Sequence, residues 1–134
     1  MTIEVVKLDT SGMDEAIRRA GTDGQKLMDA LAELFVGNVR ESFNTSPDGR
    51  TYKRGKDGVH VASQPGYPPN IDSGNYTNSL RWENSGSFGR SVYGAEYGLY
   101  LEDSSVLNRP HLNPAMERLE EQLPSVAPQY IKLG

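Results

Sequence analysis

Few residues in this chain are equipped for chemistry. It holds two histidines, His60 and His111, and no cysteine. Neither histidine sits in the spacing that a metal site or catalytic relay needs, such as two ligands one helical turn apart, so both read as structural. Asp72, Glu102 and Asp103 are the raw material for a hydrolytic or metal-binding carboxylate pair. Nothing in their spacing brings them together, and roles as cap and turn residues account for them. Gly55-Lys56 invites comparison with a phosphate-binding loop. It fails on detail, because five residues separate Gly49 from Gly55 where the loop needs four, and Asp57 stands where Ser or Thr would hold magnesium. What remains is a group of cations around an aromatic: Arg50, Tyr52, Lys53, Arg54 and Lys56. Side chains of this kind grip phosphate, stack on bases or contact a partner protein. The chain therefore reads as a non-enzyme with no cofactor and no metal, and its candidate site is an interaction arm.

The elements that must carry this arm follow from periodicity. Thr2 to Leu8 is short and β-branched and predicts a strand. Ser11 is placed to cap a brief helix in which Met13, Ile17 and Ala20 share a face, and Gly21-Thr-Asp-Gly24 interrupts it. From Gln25 the residues Leu27, Leu31, Leu34, Phe35, Val39 and Phe43 form the apolar stripe of the principal core helix, with Lys26, Asp29, Glu33 and Arg40 mostly off it. Turn residues 44–49 stop that helix. Residues 50–64 then form either a solvated loop or a β-ribbon, with Thr51-Tyr52 pairing to Val59-His60-Val61 across Gly55 to Gly58. Pro68 and Pro69 stiffen a crossing that joins no sheet, and Asp72 or Ser73 caps the turn after it. Residues 79–84 and 90–95 predict a hairpin with Leu80, Trp82 and Val92 inward, and with Arg81, Glu83 and Arg90 on the other face. Tyr97, Tyr100 and Leu101 suggest one helical turn. Arg109-Pro110 is a second stiff crossing; Pro114 opens a final helix bearing Met116, Leu119 and Leu123, and Pro124 ends it. The tail 125–134 is expected to be exposed or docked on a neighbour.

The fold class expected is α+β: a small antiparallel sheet with a hairpin, packed by one long helix and a C-terminal helix, with a long protruding loop or β-ribbon. One domain of 134 residues is expected, its core at about 2–44 and 72–123, its arm at 45–70 and its tail at 125–134. Fourteen Lys and Arg against eighteen Asp and Glu give a net charge of −4, which argues against a general nucleic-acid coat. The N-terminal stretch has neither the positive region and apolar run of a signal peptide nor a membrane span, and the absence of cysteine suits a reducing compartment. A soluble protein made inside the cell is the expectation.

Three segments, in order, resemble a family of small tailed-bacteriophage neck proteins described as tail-completion, minor tail, head–tail joining or virion-morphogenesis proteins. The first is Phe43 followed by Pro47-Asp-Gly49-Arg-Thr-Tyr52. The second is Pro68-Pro69-Asn-Ile-Asp72-Ser-Gly74 with Ser79-Leu80. The third is Val92-Tyr-Gly-Ala-Glu-Tyr97 through Tyr100-Leu101-Glu102, then Arg109-Pro110 and Pro114-Ala115. The likeness covers roughly residues 25 to 123. It departs from the family pattern at Tyr76, Asp103-Ser104, Asn108 and His111. The resemblance implies structural roles for Pro69, Asp72, Gly74, Tyr97, Leu101, Glu102, Arg109, Pro110 and Pro114. It also implies a structural virion protein assembled in the host cytoplasm, forming a ring at the head-proximal end of the tail and aiding head–tail joining. Its partners would be copies of itself, with a hexamer expected, and other neck and tail proteins: the connector or stopper, the tail terminator and the tail tube. DNA would pass through the ring without specific binding, and no membrane is involved. The alternative expectation is a small nucleic-acid-binding module that uses the basic loop at 50–56.

Overall fold

The apolar stripe read from Leu27 to Phe43 becomes the spine of the fold. The computed structural model describes residues 2–7, 13–45, 48–54, 58–63, 66–69, 78–95, 102 and 109–132. Its elements run β1 (Thr2–Lys7), α1 (Asp14–Arg19), α2 (Thr22–Ser42), β2 (Asp48–Arg54), β3 (Gly58–Ser63), β4 (Arg81–Asn84), β5 (Arg90–Ala95) and α3 (Leu112–Val126), with a 3-10 turn at Ala127–Gln129. The architecture is α+β. β1, β5 and β4 form an antiparallel sheet with β5 in the middle, and β2 and β3 form a separate two-stranded ribbon.

Along α2, Leu27, Leu31, Phe35 and Val39 are buried, as is Phe43 just beyond the helix; Met28, Ala32 and Val36 widen the stripe, and Leu34 is only half-buried. Each large side chain buried in this way contributes about 1.5–3 kcal/mol through the hydrophobic effect. The helix begins at Thr22, earlier than the glycines suggest. The break is confined to Ala20-Gly21, where Gly21 takes a φ of +57°. Gly24 belongs inside the helix for a different reason: a Cβ there would lie 2.0 Å from the carbonyl oxygen of Ile17, so only glycine lets α1 pack this closely. Ser11 lies outside the described residues, and Met13, at the N-cap position of α1, supplies no side-chain cap.

The hairpin pairs Trp82 with Val92, Arg81 with Tyr93 and Glu83 with Ser91. Leu80 and Val92 are buried beneath α2, and half-buried Trp82 donates from Nε1 to Glu33 Oε1 at 2.5 Å. β4 starts at Arg81, two residues later than expected: residues 78 and 79 are helical, and Leu80 offers its carbonyl to Arg40 Nη2 at 3.0 Å instead of to a strand. Arg81 and Glu83 are exposed as expected, with the Arg81 guanidinium 5.1 Å from the centre of the Tyr93 ring.

Arg90 corrects the sequence reading. It is 4% exposed and faces the helix. Its Nε donates to Asp29 Oδ1 at 2.6 Å, Nη2 to the Gln25 carbonyl at 3.1 Å, and Nη1 to the carbonyls of Gly89, Gly86 and Ser87 at 2.6, 3.3 and 3.3 Å. A buried guanidinium is tolerated because its donors find acceptors.

The last helix also differs at both ends. It starts at Leu112, so Pro114 stands at its third position, and it runs through Pro124. Proline fits helical φ and removes one N–H bond. The apolar face continues past it, with Leu112, Ala115, Leu119, Ala127 and Ile131 buried and with Leu123 and Val126 packed beside them. The tail through Ile131 is thus part of this chain's own core, contrary to the expectation of an exposed or neighbour-docked segment. Across the helix pair, buried Asn38 donates from Nδ2 to Gln122 Oε1 at 2.9 Å and to the Ala115 carbonyl at 3.5 Å, which fixes the register of α3 on α2.

Candidate interaction site: the ribbon and its root

The arm is a ribbon. Thr51 pairs with Val61, Tyr52 with His60, Lys53 with Val59 and Arg54 with Gly58, and the register shifts between Asp48 and Thr51. This is the pairing that the sequence pattern allowed, and it places Arg50, Tyr52, Lys53 and Arg54 on β2. Lys56 lies outside the described residues. A two-stranded ribbon is marginal alone in water, so how its ends are held decides how it is presented.

Its ends are tied at several points. On the incoming side, α2 ends at Phe43, whose φ and ψ of −68° and 145° turn the chain out of the helix. Asn44 follows with a φ of +62°, a conformation asparagine tolerates, and its N–H donates to the Pro69 carbonyl at 3.2 Å. On the outgoing side, Arg109 Nη2 donates to the carbonyl of Ser63, the last residue of β3, at 2.8 Å. Ser63 is buried, and its hydroxyl has no partner among the described residues. Pro69 is buried as well, while Tyr67 just before the two prolines is 46% exposed. Pro68 and Pro69 belong to no strand or helix.

Glu102 supplies the main anchorage of α3. Its carboxylate accepts the N–H groups of His111 and Leu112 on Oε1, both at 2.7 Å, and that of Asn113 on Oε2 at 3.4 Å. An α-helix leaves its first N–H groups without internal partners, and an anion there also meets the positive end of the helix dipole. Glu102 is therefore the cap of α3, supplied from nine residues before the His111 position. His111 is fully buried beside it. Its Nδ1 lies 2.8 Å from the Arg109 carbonyl and 3.3 Å from Glu102 Oε1, and its ring sits 5.9 Å from that of Phe43. Burial holds the His111 pKa below the ordinary histidine value, outweighing the Arg109 carbonyl and the Glu102 charge, which both act to raise it.

Of the residues singled out by the family resemblance, Pro69, Glu102, Arg109 and Pro110 thus gather at or near the ribbon root, and Pro114 sits in the first turn of α3. Asp72, Gly74, Tyr97 and Leu101, and with them the cap and the helical turn expected there, lie outside the described residues, as does Asp103. The pairing of Asp72 with Glu102 cannot be placed for the same reason. Sequence reasoning missed the buried networks of Arg90 and Asn38. For Arg90 a signal existed: it is two residues from Val92, and alternation puts both on one face. Among the described residues no group of three or more His, Asp or Glu could hold a metal ion, and no helix is long and apolar enough to cross a membrane.

Comparison of the chain with protein-family models, with curated proteins and with solved structures found no match.

Proposed function

We propose that this chain is a structural virion protein of a tailed phage, a neck or tail-completion subunit that assembles as a ring at the head-proximal end of the tail and aids head–tail joining. The observation that carries this reading is the employment of Pro69, Glu102 and Arg109, residues of the phage-like segments, at the root of the ribbon. Their polar groups bind backbone: Pro69 accepts from Asn44, Arg109 donates to Ser63, and Glu102 caps α3. Groups engaged in this way fix the direction of an arm. A ring subunit meets its two neighbours through two different faces, and an arm of fixed direction suits such a head-to-tail contact. The net charge of −4 is consistent with a channel through which DNA slides without sticking. A hexamer is the expected ring, in contact with the connector or stopper, the tail terminator and the tail tube.

Light scattering and negative-stain microscopy of the purified chain, alone and mixed with tail-tube and connector proteins, test this. Rings, or rings seated on tubes, are the expected result. Persistent monomers that bind neither partner contradict it. Salt-sensitive DNA binding that disappears when Arg50, Lys53, Arg54 and Lys56 are changed to Ala would instead favour a nucleic-acid module.

A further inference from the structure

Both ends of the ribbon converge on one buried histidine. The incoming end reaches it through Phe43, whose ring packs 5.9 Å from the imidazole, and the outgoing end through Arg109, whose carbonyl meets Nδ1 while its guanidinium holds Ser63. We infer that His111 is a proton-operated latch on the ribbon: neutral, it keeps the 109–111 crossing seated and β3 fastened; protonated, it lets the crossing lift and frees the end of β3.

A carbonyl oxygen only accepts, so the 2.8 Å contact with Arg109 assigns the proton of the neutral ring to Nδ1 and leaves Nε2 as the basic atom. A second proton creates a cation in a site with no exposure to water. Among the described residues, two charged groups adjoin it. Glu102, 3.3 Å from Nδ1, favours the cation, but its oxygens already accept three backbone N–H groups. Arg109 bears a like charge, and its guanidinium is committed to Ser63. Phe43 presents an uncharged ring from the end of α2. Desolvation outweighs the help from Glu102, as the lowered basicity of the ring records. Water solvates the cation better, and lifting residues 109–111 to reach it withdraws Arg109 from Ser63. This inference stands apart from the phage assignment, since it needs only the ribbon root.

Hydrogen exchange read as protection factors from pH 7.5 to 5.5 tests the latch. Amides of β2 and β3 should lose protection by up to about tenfold per pH unit below about 6.5, and throughout the range they should exchange through an opening of lower free energy than the global unfolding reported by Leu31 and Phe35 in α2. His111→Asn keeps a donor near the Nδ1 position and gains no proton, so ribbon protection should become flat with pH. His60 is the only other histidine, and His60→Asn should leave the wild-type profile unchanged. A flat ribbon profile in the wild type, ribbon protection no lower than that of Leu31 and Phe35, a decline that survives His111→Asn, or one abolished by His60→Asn would each overturn the latch. Should His111→Asn fail to fold, the wild-type and His60→Asn profiles decide.

Discussion

Removing the Glu102 carboxylate is the sharpest perturbation of the fold. In Glu102→Ala the N–H groups of His111 and Leu112 lose acceptors 2.7 Å away, and both residues are at most 2% exposed, so water cannot readily replace them. A buried donor left without a partner costs about 1–3 kcal/mol. Asn113 is exposed and its bond is 3.4 Å long, so its N–H is resolvated at little cost. Loss of the anion from the helix N-terminus adds about 0.3–1 kcal/mol. The expected destabilisation is about 4 kcal/mol, a large part of the roughly 5–15 kcal/mol that holds an ordinary domain together. Glu102→Gln is the discriminating partner. Both short bonds end on Oε1, and a glutamine carbonyl can take that place, so only about 1 kcal/mol should be lost. Urea unfolding followed by Trp82, the single tryptophan, and by far-ultraviolet circular dichroism measures both. An alanine variant within about 0.5 kcal/mol of wild type, or equal effects of Ala and Gln, would refute the capping role.

The remaining predictions concern pH, packing and the buried arginine. Because the folded-state pKa of His111 is lowered, the unfolded chain binds the extra proton more tightly. The stabilising contribution of neutral His111 is therefore complete above about pH 6.5 and is lost as pH falls toward the folded-state value. Urea midpoints should show that loss in the wild type and not in His111→Asn. Gly24→Ala should destabilise by about 2–4 kcal/mol, since its Cβ would meet the Ile17 carbonyl, whereas Gly37→Ala, with open space at its Cβ, should stabilise by about 0.5–1 kcal/mol. Thermal melts of the two variants should shift in opposite directions. Arg90→Ala should cost about 3 kcal/mol, and Arg90→Lys should recover little, because one ammonium cannot reach Asp29 and the loop carbonyls together. Denaturant unfolding of both variants checks this.

Much of the scaffold was legible because it rests on local periodicity. The 27–43 stripe, the pairing of Trp82 with Val92 and the register of Tyr52 with His60 all follow from spacing along one or two strands or one helix. What escaped depends on partners far away in sequence. Arg90 was assigned outward on its charge, although its separation from Val92 argued inward, and Asp29, the Gln25 carbonyl and the loop carbonyls make the inward position tolerable. Pro124 looked like a stop because proline removes a helical bond. The apolar residues beyond it, Val126, Ala127 and Ile131, outweigh that loss by packing on the core. Glu102 was recognisable as a motif residue, but its task of capping a helix beyond Pro110 has no local signature. The cations of the arm were found from composition, while the clamp that directs the arm joins residues 63 and 109, which nothing in the sequence pairs.

The central claim is that this chain is a component of a virion neck, and particles made from the genome that encodes it test that most directly. Mass spectrometry of purified virions, with cryo-electron microscopy of the head–tail junction, should find the chain as a ring at the head-proximal end of the tail. Particles that are complete, infectious and free of the chain would contradict the account.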